Sequence, residues 1–369
     1  MIAGRVASSV VQRHVKYVRP VPAGAARGLV STVYGQVADE MRLVVPPALL
    51  HSPSPDVLAA YWMLMREPLM PTGVVGRAVK EAVAAAVSVA TICPYCVDMH
   101  SVGLYHLSTE DNAEAIVVDR IEEVTDPAVR AAAGWARVAH QPDTFAAQRP
   151  PFSAAERPEM VGVAVSLHYL TRMVNVFLSS FLLPPGLGPR ARRRLKRGIG
   201  WVLGSTLNGE YQPGTAVPLL PRATLPADAA WAVGNDSVAA AVARSYAALE
   251  AAGERSLSSA VRDVVCERLD YWRGEETGLS REWTEPLVAR LSESDRAAGR
   301  LALLTALASY QVDQDVVDEF RIRHPEDAQL VEATAWSSFA AARRVGGWYA
   351  PPAQAAVAAA QAVAHLPAA

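Results

Sequence analysis

The chain has 369 residues, of which 51 % are hydrophobic and 20 % charged, and its formal net charge is −2. This composition is typical of a globular protein long enough for two domains, and it excludes a disordered chain. The near-neutral charge gives no reason to expect a nucleic acid or a membrane surface as partner. Three cysteines are too few for a disulfide framework, so a reducing compartment, the cytoplasm, is the expected location.

Residues 1–34 are predicted to form an N-terminal extension. Basic residues are spread through its start, and it contains no apolar segment of the signal-peptide kind. The longest apolar segment, roughly residues 159–183, includes His168, Arg172 and Asn175, and each of these would be costly in lipid. We therefore interpret this segment as a buried helix.

The sequence predicts an all-α protein, because apolar residues recur at helical spacing and alternating strand patterns are scarce. Proline and glycine are concentrated between residues 184 and 215 and mark a domain boundary. We predict a first, catalytic domain at 35–185, a linker at 186–215 and a second helical domain at 216–369.

Six basic residues crowd the predicted linker: Arg190, Arg192, Arg193, Arg194, Lys196 and Arg197. One interpretation is a surface that binds an anion or a partner. The other, which we favour, is a solvated helix face with counter-charges nearby.

The two halves of the chain contain similar segments 139 residues apart. In each, a serine is followed three residues later by an acid, as Ser153 is by Glu156 and Ser292 by Asp295. This spacing is that of a capping box and predicts that a long helix begins at each place. Two helical halves of similar build would explain the similarity.

Residues 81–104 read EAVAAAVSVATICPYCVDMHSVGL, an apolar run that ends in two cysteines and a histidine. Pro94 suits the first turn of a helix, so it predicts Cys93 at the helix cap and Cys96 in the first turn. A helix N-terminus favours a thiolate. His100 lies one turn beyond Cys96 and could take its proton.

Several interpretations of the pair remain open from spacing alone. A dithiol redox centre is favoured over a structural disulfide and over a zinc site that would need His100 and His106. Glu81 is best interpreted as a solvated acid at a helix start, although it could point inward and join a proton relay. The third cysteine, Cys266, is expected to be a buried structural thiol.

The pattern formed by Glu81, Cys93, Cys96 and His100 resembles the E-x11-C-x-x-C-x3-H signature of the alkyl hydroperoxidase D (AhpD-like) proteins. These belong to the carboxymuconolactone decarboxylase superfamily. The resemblance covers about residues 35–185 and implies an all-helical fold in which Glu81 belongs to the relay. Classical AhpD proteins carry a second histidine between the cysteines, whereas this chain has Tyr95, and many relatives also lack that histidine. The departure puts the efficiency of the classical peroxidase relay in doubt.

The resemblance also implies where other residues lie. Residues 167–177 are similar to the late long helix of that fold, so His168, Arg172 and Asn175 would line the active-site side together with Tyr95. The second half would be a degenerate copy without the motif. In that copy Tyr310, Gln311 and Gln314 would occupy the positions of His168 to Asn175.

The function implied is that of a thiol-dependent hydroperoxidase or dithiol oxidoreductase. Cys96 would attack the peroxide, Cys93 would resolve the product as a disulfide, and an external dithiol would reduce it. We expect no metal or organic cofactor, and we expect the protein to form a homo-oligomer. The alternatives are an enzyme of the same superfamily that transforms a metabolite, and a non-catalytic redox sensor that binds a partner.

Overall fold

The computed structural model describes residues 15–178, 183 and 186–351. Residues 1–14 of the predicted extension lie outside this part. So do residues 179–182, 184 and 185 at the predicted domain boundary, and residues 352–369 of the predicted second domain.

The described chain is helical, as predicted, with no β-strand between residues 15 and 351. The helices of the first half are α1 (Gly28–Met41), α2 (Pro46–His51), α3 (Pro55–Leu69), α4 (Arg77–Ala90), α5 (Pro94–Leu107), α6 (Glu110–Val117), α7 (Pro127–Val138), α8 (Phe145–Gln148) and α9 (Arg157–Phe177). Those that follow are α10 (Pro189–Leu207), α11 (Asp236–Ser256), α12 (Ser259–Tyr271), α13 (Glu285–Val288), α14 (Arg296–Ala308), α15 (Gln314–Arg321) and α16 (Asp327–Gly347).

Short 3-10 segments connect these helices, at Ala23–Ala25, Ile121–Glu123, Val217–Leu219, Ala227–Ala232, Glu282–Thr284 and Ser309–Gln311. An isolated antiparallel bridge between Val15 and Leu178 ties the start of the described chain to the end of α9.

The two halves share one continuous core that extends from Val18 to Val345. Helix α3 packs against α11, and α9 packs against α16. Helix α4 lies between α5, α7 and α9. A buried ion pair between Lys80 Nζ and Glu159 Oε2, 2.6 Å apart, fixes α4 to α9. The helix that begins the cysteine motif is therefore held against α9, a 21-residue helix of the core.

Helix α9 contains most of the apolar segment that was predicted to be a buried helix, and this prediction is confirmed. Within the described chain it is the one helix long and apolar enough to cross a membrane, and 94 % of its most apolar window is buried inside the protein. Its apolar surface is therefore covered by other helices of the same chain.

The predicted similarity of the two halves holds at the helix starts but not beyond them. Helices α9 and α14 begin at Arg157 and Arg296, at the same offset as the two serines. Ser153 and Glu156 form the reciprocal bonds that the spacing predicts, but in the turn just before α9, whose N-cap is Glu156. The Glu156 carboxylate accepts from the Ser153 N–H at 2.8 Å, and the Glu156 N–H donates to the Ser153 hydroxyl at 3.4 Å. In the second segment the Ser292 hydroxyl donates to Asp295 at 3.0 Å.

Helix α9 has 21 residues, whereas α14 has 13 and ends at Ala308. The proposed equivalence of Tyr310, Gln311 and Gln314 to the end of α9 is therefore wrong. Tyr310 and Gln311 lie in a 3-10 turn and both donate to the Gly278 carbonyl. The second half has two 21-residue helices, α11 and α16, and of these it is α16 that packs most extensively on α9.

The basic run lies on α10 and faces acids on α5 and α6. Arg192 pairs with Asp98 at 2.8 Å, and Lys196, which is buried, pairs with Glu114 at 2.9 Å. Further pairs join Arg197 to Glu110 and Arg193 to Asp111. The counter-charges that we favoured are present, but the face is not fully solvated, because Lys196 is buried. These ion pairs dock α10 onto α5 and α6.

Close packing between α11 and α16 depends on Gly253, because a Cβ atom there would overlap the Trp336 ring. We expect Gly253→Ala to lower the free energy of unfolding by about 1–3 kcal/mol. Gly198→Ala on α10 is the control, since an added Cβ there meets no atom within 4 Å. Gly198→Ala should raise the free energy of unfolding by about 0.5–1 kcal/mol, because alanine favours a helix more than glycine does. Chemical denaturation measures both, and equal stability of Gly253→Ala and the wild type would contradict the packing.

Candidate active site

The two cysteines follow a sharp turn that ends α4. The Ile92 N–H donates to the Val89 carbonyl at 3.2 Å, and the Cys93 N–H donates to the Ser88 carbonyl at 3.0 Å. This is the Schellman pattern, in which glycine commonly takes the left-handed position. Here Ile92 takes it with a φ of 52°, which is strained for a β-branched residue. The turn places Cys93 at the N-cap of α5, ahead of Pro94.

The two thiols are buried and in contact. Cys93 and Cys96 are 1 % and 3 % exposed, and their sulfur atoms are 2.8 Å apart. A disulfide needs a separation of about 2.05 Å, so a small movement would join them. Burial, together with the hydrogen bond and charge of Cys93, raises the pKa of the Cys96 thiol well above its ordinary value. Cys96 therefore needs a base to become a thiolate at neutral pH.

His100 and Glu81 form a buried pair, and both residues line a cavity that Cys96 also lines. The His100 Nδ1 lies 2.7 Å from Glu81 Oε2, and Arg77 donates through Nε and Nη2 to Glu81 Oε1, each at 2.8 Å. Burial alone would raise the pKa of Glu81. The Arg77 charge and the His100 contact outweigh it and hold that pKa at about 2. Glu81 is therefore a carboxylate.

This pairing fixes the role of each histidine nitrogen. Because a carboxylate can only accept, the proton of a neutral His100 is on Nδ1, and the lone pair of Nε2 is left to act as a base. The interpretation of Glu81 as a solvated acid is wrong, since the residue is 3 % exposed. Its inward direction agrees with what the family resemblance implied.

Two residues of this arrangement were missed in the sequence. Arg77 lies one turn before Glu81 on the same helix face, and this spacing could have indicated it. Gly103 leaves the space that the Glu81 side chain occupies, because a Cβ there would lie 3.2 Å from the Glu81 carboxyl carbon. That requirement depends on how α5 packs on α4 and has no local signal.

A cavity of about 110 Å³ opens onto Cys96, His100 and Tyr95. Its remaining lining is mostly apolar and comes from α1, α2, α3, α5, α9, α10 and two residues that flank these helices: Met41, Val45, Pro47, Trp62, Met65, Leu69, Met70, Met99, Leu170, Val174, Leu203 and Leu207. Four methionines in this wall can adapt to ligands of different shape. The docked helix α10 closes one side of the cavity.

Tyr95 lies in this cavity, as predicted for a residue that contacts the substrate. Its side chain is buried, and its hydroxyl has no hydrogen-bond partner within the described chain. Burial, followed by the charges of Cys96 and Cys93, raises the pKa of Tyr95, so the hydroxyl keeps its proton. It is an unpartnered donor, within the described chain, in the cavity that Cys96 also lines.

His168 and Arg172 do not line this cavity, so that part of the prediction is wrong. They line a second cavity, whereas Leu170 and Val174 of the same helix line the first. Helix residues two apart point about 200° away from each other, so α9 separates the two cavities. Asn175 does not line the first cavity either. It donates to the Thr91 carbonyl at 3.2 Å and to the Ser309 hydroxyl at 3.1 Å, and thereby supports the turn before Cys93.

Cys266 and His106 were also considered as candidate site residues from the sequence. Cys266 is exposed on α12, so its interpretation as a buried thiol is wrong. His106 Nε2 lies 2.8 Å from Asn208 Nδ2, away from the cysteine pair. In the residues that the structure describes, no group of three or more His, Cys, Asp or Glu side chains could hold a metal ion.

Two comparisons bear on this arrangement. Residues 56–138 match the Carboxymuconolactone decarboxylase family, a range that includes Glu81, both cysteines and His100. Over 336 residues the chain is 37 % identical to a Mycobacterium tuberculosis protein named alkyl hydroperoxide reductase Rv2159c, covering 91 % of this chain and 95 % of that protein. The chain belongs to the AhpD-like proteins of the carboxymuconolactone decarboxylase superfamily. At the level of this family it is an AhpD-like oxidoreductase, and the similarity extends through its second half.

The charge on Glu81 has a consequence for stability. A carboxyl whose pKa falls on folding from 4.5 to about 2 contributes stability above pH 4.5 and loses it as the pH falls toward 2. We expect Glu81→Gln to lower the free energy of unfolding by about 2 kcal/mol at pH 7, and less as the pH falls below 4.5.

Denaturation of both proteins between pH 7 and pH 2.5 measures this difference. Glu122→Gln, which changes an exposed acid, is the control and should have little effect at any pH. A difference between wild type and Glu81→Gln that stayed constant across this range would show that Glu81 is not held as a carboxylate.

Proposed function

We propose that the protein is a thiol-dependent peroxidase that reduces organic hydroperoxides through the Cys93–Cys96 pair. The observation that carries the proposal is the contact of the two thiols, 2.8 Å apart, beside a His100 that is oriented by the buried Glu81 carboxylate. The name of the 37 % identical relative supports it.

In the first step, His100 Nε2 takes the proton of Cys96, either directly or through one water. The free N–H groups of the first turn of α5 stabilise the thiolate. The thiolate attacks the terminal oxygen of the hydroperoxide, and the O–O bond breaks. Cys96 becomes a sulfenic acid, and the alkoxide leaves as the alcohol after it takes the proton from His100.

In the second step, the Cys93 sulfur attacks the sulfur of the sulfenic acid, a disulfide forms and water leaves. An external thiol or dithiol then reduces this disulfide by exchange and is itself oxidised. No resident metal or organic cofactor takes part in this scheme. The electron donor, the homo-oligomer and the cytoplasmic location remain proposals from the sequence.

The cavity supports an organic hydroperoxide as substrate. Its wall is apolar apart from the relay, the tyrosine hydroxyls of Tyr61 and Tyr95, and Thr206. An apolar substituent would be buried against the methionines and leucines, while the peroxide group lies at Cys96. The unpartnered Tyr95 hydroxyl is placed to donate to a peroxide oxygen. This tyrosine stands where classical AhpD proteins carry a histidine.

Single-turnover oxidation tests the proposal. Fully reduced protein is mixed with one equivalent of cumene hydroperoxide or hydrogen peroxide, and the Cys93–Cys96 disulfide is followed by mass spectrometry. We expect the disulfide to form, and about 10-fold faster with cumene hydroperoxide, because the cavity buries its apolar group. His100→Ala should slow the reaction by about 100-fold or more.

Cysteine variants identify the intermediates. Cys96→Ser should abolish the reaction, and Cys93→Ser should stop at a sulfenic acid on Cys96 that a dimedone probe captures. Cys266→Ser is the matched control and should react like the wild type, because that thiol lies on the exposed face of α12. If Cys96 were oxidised no faster than Cys266, the result would contradict the peroxidase proposal. A redox sensor or another kind of oxidoreductase would then be the remaining functions.

A further inference from the structure

The second cavity lies on the face of α9 opposite the thiols. It has a volume of about 50 Å³, and His140, His168, Arg172 and Trp272 contribute to its wall. The histidine rings are 5.8 Å apart between centroids, and the Trp272 ring stacks on His140 at 6.3 Å. The peroxidase scheme uses none of these residues.

Arg172 brings an unneutralised positive charge into this cavity. It is 6 % exposed, and its Nε and Nη1 donate to the carbonyls of Ala306 and His168 at 2.8 and 2.6 Å. Burial alone lowers the pKa of Arg172, to about 10, and no acidic group offsets this effect. Across residues 15–178, 183 and 186–351, no carboxylate lies within ion-pair distance of its guanidinium. A buried arginine normally has an anionic partner, because an uncompensated charge in the interior is costly.

The two histidines add unpartnered polar atoms to the same cavity. His168 Nε2 and His140 Nδ1 are buried without a hydrogen-bond partner in the described chain. Arg172 Nη1 lies 3.3 Å from His168 Nδ1, and since arginine can only donate, that nitrogen is an acceptor. The proton of a neutral His168 is therefore on Nε2, which is a donor without an acceptor.

We propose that this cavity binds a small oxyanion, and specifically a carboxylate group, between Arg172, the His168 Nε2–H and His140. A carboxylate has two oxygens and can accept from the guanidinium and from an imidazole at once. A metal cation is disfavoured because the Arg172 charge would repel it. The site goes beyond the proposed peroxidase activity and does not depend on it.

Two acids stand at the rim of the cavity and set its selectivity. The Glu275 carboxylate accepts hydrogen bonds from Arg268 Nη2 and from the Arg273 N–H, each at 2.8 Å. Glu276 is exposed beside it. Their charges disfavour a highly charged anion such as phosphate more than a monoanion. A singly charged carboxylate therefore suits the positively charged wall and is repelled less by the rim than phosphate is.

Imidazole NMR of the full chain tests this site in the wild type. The 15N-labelled protein is titrated with sodium acetate, and separately with sodium phosphate and sodium chloride, at constant ionic strength. Acetate should shift the signals of His140 and His168 saturably, and His140→Gln and His168→Gln assign them. Shifts that are linear, or equal with chloride, would overturn the site, and tighter binding of phosphate would overturn the carboxylate assignment.

Charge variants of the cavity give a second readout. Arg172→Met should weaken acetate binding by about 10-fold or more. Glu276→Gln should tighten it, because it removes a like charge from the rim. Arg222→Gln, at an exposed arginine outside the cavity, should leave it unchanged. Acetate affinity that Arg172→Met does not lower, or that Glu276→Gln weakens, would contradict the proposal, and the wild-type titration decides it even if Arg172→Met fails to fold.

Discussion

The buried charge on Glu81 is the interaction on which the active site depends. A carboxylate on an apolar, alanine-rich helix is costly unless each oxygen is compensated. Arg77 compensates one oxygen and His100 the other, and Gly103 provides the space. Because the His100 contact fixes α5 against α4, the same interaction that compensates the buried charge also sets the tautomer of the histidine that lines the cavity with Cys96.

The backbone contributes a second constraint at the turn between these helices. Ile92 adopts a left-handed conformation, which turns the chain and places Cys93 at the start of α5. The surrounding packing must hold this strained residue in place. Asn175 of α9 does so by its bond to the Thr91 carbonyl, and Ser309 of the second half supports Asn175. The half without the motif thus helps to position the cysteines.

The sequence predicted the elements that depend on local chemistry. Helical periodicity indicated the all-α fold, Pro94 indicated the helix start between the cysteines, and the spacing of four residues identified the family. It could not show which way Glu81 points, because a solvated and a buried acid have the same spacing. The family resemblance placed His168 and Arg172 on the wrong side of α9, because packing against the second half sets their surroundings. The apparent repeat between the halves could not indicate that packing, since the equivalent helix α14 ends at Ala308.

The central claim is that His100 activates a thiol that burial would otherwise keep protonated. The most direct test is the rate of Cys96 alkylation by iodoacetamide between pH 5 and pH 10, measured by mass spectrometry in the wild type and in His100→Ala. We expect the wild-type thiol to react near neutral pH and the variant only in the alkaline range, because burial raises the pKa of Cys96. Identical pH profiles for the two proteins would contradict the account.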